Sequence, residues 1–147
     1  MLEEVENFLS DKNTMFTTEQ LEEAMQKIMD TYAGGIGSHY QFNEKQLLLA
    51  KEKITSIVKL SEQLYASDMH ELMFLYELRE RLDVCLVLIE HLKARKETRW
   101  HSFAENLDYP EKSDNYLKYI NSRLENGQIK ILYRELVKRG EQYEHSH

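Results

Sequence analysis

The sequence predicts a mainly α fold, an up-and-down three-helix bundle followed by a C-terminal extension with a β-hairpin. Three observations predict it. Apolar residues recur at helical spacing in three long runs, each opened by a capping residue. Short connections join the runs, which favours antiparallel neighbours. Beyond them the period changes, and two alternating runs flank Asn126-Gly127, a dipeptide suited to a tight hairpin turn.

The elements follow in chain order. Residues 1–17 form a short N-terminal segment, in which Leu2, Val5, Phe8 and Leu9 could make a brief helical turn or pack on the body. The first helix is expected over Thr18 to Tyr32, because Thr17 and Gln20 have capping-box spacing and Leu21, Met25, Ile28 and Tyr32 share a stripe. The turn "AGGIGS" ends it. A phosphate-binding loop would need a preceding strand with GxGxxG, or a following Gly-Lys-Ser/Thr; neither is present. Asn43 caps the second helix, about Glu44 to Ala66, whose stripe is Leu47, Ala50, Ile54, Ile57 and Leu64, widened by Leu48, Val58 and Tyr65. Ser67 or Asp68 caps the third, about Met69 to Lys96. From Leu82 to Leu92 this helix is apolar around most of its circumference, as a helix buried on several sides would be. Either the C-terminal segment or a partner is expected to cover that surplus. Residues 18–96 make the bundle, 97–115 a connector, 116–137 the hairpin and 138–147 a polar tail. The hairpin strands are expected at Tyr116 to Leu124 and Gln128 to Glu135, although Leu117, Ile120 and Leu124 also have helical spacing.

Composition narrows the function. Of 147 residues, 41% are hydrophobic and 31% charged, a globular balance. The formal charge is −7 and the basic residues form no stripe, which argues against nucleic acid as a partner. The longest strictly apolar run, Val84 to Ile89, is too short for a transmembrane segment, and the acidic N-terminus lacks a signal-peptide core. The single cysteine, Cys85, lies in that run and reads as a small core residue, so a cytoplasmic location is expected.

Catalytic chemistry finds no foothold. His39, His70, His91 and His101 lack a Glu three residues earlier, and the Glu144/His147 pair sits on the terminal tail. No Cys/His pair has zinc spacing and no Gly-x-Ser-x-Gly is present. The expected catalytic, cofactor-binding and metal sites within the chain are therefore none.

The stretch "KETRWHSFAENLDYPEK" remains. Arg95, Lys96 and Arg99 stand where cations complement the dipole of the third helix. Trp100 and Phe103 are potential apolar anchors, and Tyr109-Pro110 favours an extended path. Such a connector either packs the hairpin on the bundle or docks a partner.

These residues also carry a resemblance. "ARKETRWHSFAENLDYPEKSDNYLKYI" resembles the Arg-Lys-Glu-Ser-Arg…Asp-Tyr/Phe-Pro…Asp pattern that follows the third helix of the C-terminal helical domain in the succinate dehydrogenase/fumarate reductase flavoprotein family. "MQKIMDTYAGGIGSHYQFNEKQLLLAKEKI" resembles that domain's opening and "IKILYREL" its closing strand. The "TRW" variant is most similar to the adenylylsulfate-reductase branch; the succinate-type branch has Gly-Ala-His after the arginine. The resemblance implies a spectrin-repeat-like three-helix bundle, not catalytic alone, that braces an FAD-binding domain and helps hold an iron–sulfur electron-transfer partner. It implies FAD in the parent flavoprotein, an oxidoreductase, and no cofactor in this chain. The interdomain-contact candidates are then Arg95, Arg99, Trp100, His101, Asp108, Tyr109 and Pro110. The competing expectation is a free-standing helical-bundle interaction module. Either way the isolated chain is expected to self-associate or to expose an apolar patch.

Overall fold

The computed structural model describes residues 16–137. The expected N-terminal turn around Leu2 to Leu9 and the tail with Glu144 and His147 lie outside the described residues.

Three helices make the body: α1 (Thr18–Tyr32), α2 (Glu44–Ser61) and α3 (Met69–Ala94). In α1 the capping box is reciprocal. Thr17 Oγ1 accepts from the Gln20 amide at 3.2 Å, and Gln20 Oε1 accepts from the Thr17 amide at 3.0 Å. Asn43 caps α2 by accepting from the Gln46 amide, and Asp68, not Ser67, caps α3 by accepting from the Glu71 amide, each at 2.8 Å. The caps fix where each stripe begins, and the stripes meet in one core. It holds Leu21, Met25 and Ile28 of α1, Leu47, Ile54 and Ile57 of α2, and Leu78, Leu82 and Ile89 of α3.

The glycine turn between α1 and α2 has a physical reason of its own. Asp30 folds back into it, and its Oδ1 accepts from the Gly37 amide at 2.8 Å. A Cβ at Gly35 or Gly37 would collide with Asp30, so only glycine lets the turn close around that carboxylate.

Two helix ends need correction. First, α2 ends at Ser61 rather than Ala66. Ser61 is buried, its hydroxyl donates to the Val58 carbonyl at 2.6 Å, and Arg79 donates to its carbonyl at 3.2 Å. The chain then leaves in tight turns, which carries Tyr65 off the stripe to 79% exposure; Leu48 is exposed as well. Second, α3 ends at Ala94 rather than Lys96, because Arg95 adopts extended backbone. Of the two expected covers for the apolar stretch Leu82 to Leu92, the C-terminal segment supplies only part. Val84 is 65% and Leu88 45% exposed, because two helices and a hairpin cover only part of the circumference of α3. Cys85 is half-buried against the core, and burial pushes its thiol pKa up.

Two small sheets complete the fold. Strand β1 (Gln41–Phe42) pairs in parallel with β2 (Glu105–Asn106), which ties the connector to the entrance of α2. Strands β3 (Lys118–Glu125) and β4 (Gln128–Glu135) form the antiparallel hairpin, so the helical alternative for this run is not adopted. Asn126 and Gly127 both have positive φ, 52° and 76°, the mirror-image turn that matches strand twist. Strand β3 starts two residues later than expected, because Asp114–Tyr116 forms a 3₁₀ turn capped by Ser113. The hairpin rests on the end of α3, with His91 Nε2 2.9 Å from Ser122 Oγ.

Candidate functional site

After α3 the chain turns extended, and side chains two apart fall on one side. Arg95, Glu97 and Arg99 accordingly converge. Glu97 is buried and accepts four hydrogen bonds: from Arg95 Nη1 at 2.7 Å, Arg99 Nε at 3.0 Å, Arg99 Nη2 at 2.9 Å and the Ser113 amide at 2.9 Å. Burial pushes this carboxyl pKa up, but the bonds from Arg99, the Ser113 amide and Arg95 outweigh it and hold the group below its ordinary value. Arg95 also donates to the carbonyls of Tyr116 and Lys118, at 2.9 and 3.0 Å, and so pins the start of the hairpin. Arg99 donates to the Ser113 carbonyl at 3.2 Å. The expectation that these arginines serve the dipole of α3 is thus replaced: both guanidiniums serve Glu97.

Thr98 is the second buried centre. Its hydroxyl accepts from the Asn106 amide at 3.0 Å and reaches the Tyr109 carbonyl at 2.8 Å. Asn106, also buried, orders the next turn by accepting from the Asp108 amide at 3.1 Å. Asp108 then reaches back 64 residues, and its Oδ2 accepts from the Glu44 amide at 2.8 Å. It acts as a second acceptor at the positive end of α2.

Trp100 and Phe103 behave differently. They sit in a turn closed by bonds from the Phe103 and Ala104 amides to the Trp100 carbonyl, yet they are 69% and 74% exposed. Of the two expectations for this connector, packing of the hairpin by Trp100 is not what the structure contains. Arg95 does that work. His101, Tyr109 and Pro110 are also exposed, with His101 4.0 Å from Glu105. The Ser102 amide, then Gln41, hold the Glu105 carboxyl below its ordinary pKa. Between the end of α3, the connector and β3 opens a cleft of about 220 Å³, lined by Phe42, His91, Arg95, Arg99, Trp100 and Ile120 among others.

The site therefore brings Arg95, Arg99 and Trp100 together at one cleft, while Asp108 is spent on the α2 entrance. Sequence reasoning missed Glu97, Thr98, Asn106 and Ser113. The one available signal was the alternation Arg95-x-Glu97-x-Arg99 directly after a helix end.

The family model described as "Fumarate reductase flavoprotein C-term" matches residues 22–145, most of the chain. The chain belongs to this family. The alpha subunit of adenylylsulfate reductase from Megalodesulfovibrio gigas is 27% identical over 117 residues, 79% of this chain and 16% of that protein. Adenylylsulfate reductase from the hyperthermophilic Archaeoglobus fulgidus superposes with a TM-score of 0.81 at 32% identity, over 86% of this chain and 20% of that one. A second structure, an adenosine-5-phosphosulfate reductase in complex with sulfite, gives 0.81 at 33% identity over 87% and 21%. The chain thus spans about a fifth or less of these relatives and corresponds to a C-terminal helical domain of flavoprotein reductase subunits.

The glycine turn does not fit the pyrophosphate of a flavin dinucleotide. The one glycine-rich turn has its Gly37 amide taken by the Asp30 carboxylate, which sets negative charge where a pyrophosphate would have to lie. Among the described residues no helix is long and apolar enough to cross a membrane.

Proposed function

We propose that this family domain works by holding: it braces the FAD-binding domain of an adenylylsulfate-reductase-like flavoprotein, and helps keep an iron–sulfur electron-transfer partner in register. Its docking face is the connector from Arg99 to Pro110. The location is cytoplasmic, in keeping with the one unpaired thiol. Bracing has a chemical purpose, because a displacement of about 1 Å between reacting groups can cost on the order of a hundredfold in rate.

One observation carries the reading. Trp100 and Phe103 stand exposed on a backbone fixed from both sides by the buried Glu97 and Thr98. A large indole held out to solvent on a rigid support is a preorganised anchor, the kind of residue that dominates interface energies. Asp108 and β2 support the same segment from the α2 side.

Hydrogen–deuterium exchange tests it. The 147-residue chain is mixed with a separately produced flavin domain of an adenylylsulfate-reductase alpha subunit. New protection centred on residues 100–110 is expected. Protection confined to the N-terminal half of α3, or none at all, would contradict the reading.

A further inference from the structure

The cleft beside Trp100 has an uneven electrostatic lining. Arg95 and Arg99 line it together with a single carboxylate, Glu97, so it carries an excess of one positive charge in a chain of formal charge −7. The two guanidiniums are not equally committed. Arg95 spends Nη1 and Nη2 on Glu97 and on the carbonyls of Tyr116 and Lys118. Arg99 spends Nε and Nη2 on Glu97 and Ser113, and no described residue takes its Nη1. Its side chain keeps 22% exposure and lines the cleft. The neighbouring wall is apolar, with Phe42, Ile120 and the exposed indole of Trp100.

We propose that this cleft receives an acidic side chain of the docked flavin domain, its carboxylate on Arg99 Nη1 and its apolar neighbours against Trp100. The inference rests on the bracing function above and gives it a chemical specificity. A guanidinium already fixed by Glu97 loses little side-chain freedom when a second carboxylate arrives, and a planar fork can serve two carboxylates on different edges. Elsewhere the net negative chain repels an acidic partner, so the positive cleft also sets where that partner lands.

Trp100 is the only tryptophan, so its fluorescence reports this cleft alone. The full chain is titrated with blocked hexapeptides carrying one Glu between apolar residues, and with the same peptides carrying Gln. Glu peptides should bind tighter by roughly tenfold, the worth of one charge-assisted hydrogen bond. The preference should shrink in Arg99→Lys, which keeps the charge but loses the second edge. If that variant fails to fold, judged by circular dichroism, the Glu/Gln comparison on the unaltered chain decides alone. Equal affinity for the two peptides, or binding of neither, overturns the proposal. If the flavin domain protects residues 100–110 of this chain yet the chain shows no Glu preference, the acidic contact fails while the bracing function stands. If it prefers Glu but does not engage the flavin domain, the cleft's preference for a carboxylate stands, while the flavin domain as its source fails together with the bracing function.

Discussion

Glu97 concentrates the energetics of the connector in one carboxylate, because four donors meet on a side chain with no solvent exposure. Removing one partner from a buried charge cluster leaves the others uncompensated. Glu97→Gln should therefore cost about 3 kcal/mol, at the low end of the usual range because both arginines keep partial exposure. Denaturant melts measure it, and a loss below about 0.5 kcal/mol, ordinary for a surface site, would contradict the role. The same group predicts a pH dependence. Its folded-state pKa lies below the ordinary value of 4.5, so its stabilisation is fully present above 4.5 and is lost as pH falls through the lowered value. The acid limb of the stability profile should become shallower there in Glu97→Gln, and unchanged limbs would refute the linkage.

The elements were legible where one local rule decided them. Both ends of α1 are written in its capping box and the glycine turn, and the starts of α2 and α3 in Asn43 and Asp68. The ends of α2 and α3 were not legible, because tertiary partners set them. Arg79 reaches the Ser61 carbonyl from 18 residues away, and Glu97 draws Arg95 out of the helix. Two-residue strands such as β1 and β2 leave no periodicity to read, so the link between the connector and α2 was invisible. The docking candidates were half legible: Trp100 announces itself by size, whereas Glu97 and Thr98 look like ordinary polar residues until their partners are known. The hairpin was legible through Asn126-Gly127, and that assignment makes a prediction. Replacing both by alanine puts a Cβ on Gly127 at positive φ, at roughly 1–2 kcal/mol, and removes from position 126 an asparagine that tolerates that region. Amides of β3 and β4 should then exchange faster while those of the α1 core do not. Uniform acceleration across the chain would mean that the hairpin and the bundle unfold as one unit.

At the scale of the molecule, α3 shows what the fold leaves undone. Met69, Met73, Val84 and Leu88 are exposed along it, and Trp100 and Phe103 at the connector. Exposed apolar area on this scale belongs to interfaces more often than to free monomers. The isolated chain is expected to bind a hydrophobic dye or to show a mass above the monomer in sedimentation. A strict monomer that leaves the dye dark would contradict this. The central claim is that the connector spends its buried residues on rigidity and its exposed ones on docking, and Trp100→Ala separates the two. In the isolated chain the change should alter stability by no more than about 0.5 kcal/mol, as at other exposed positions. Against the separately produced flavin domain it should cost about 2 kcal/mol of association or more, roughly thirtyfold in Kd. A large stability loss in the isolated chain, or an unchanged Kd, would contradict the account.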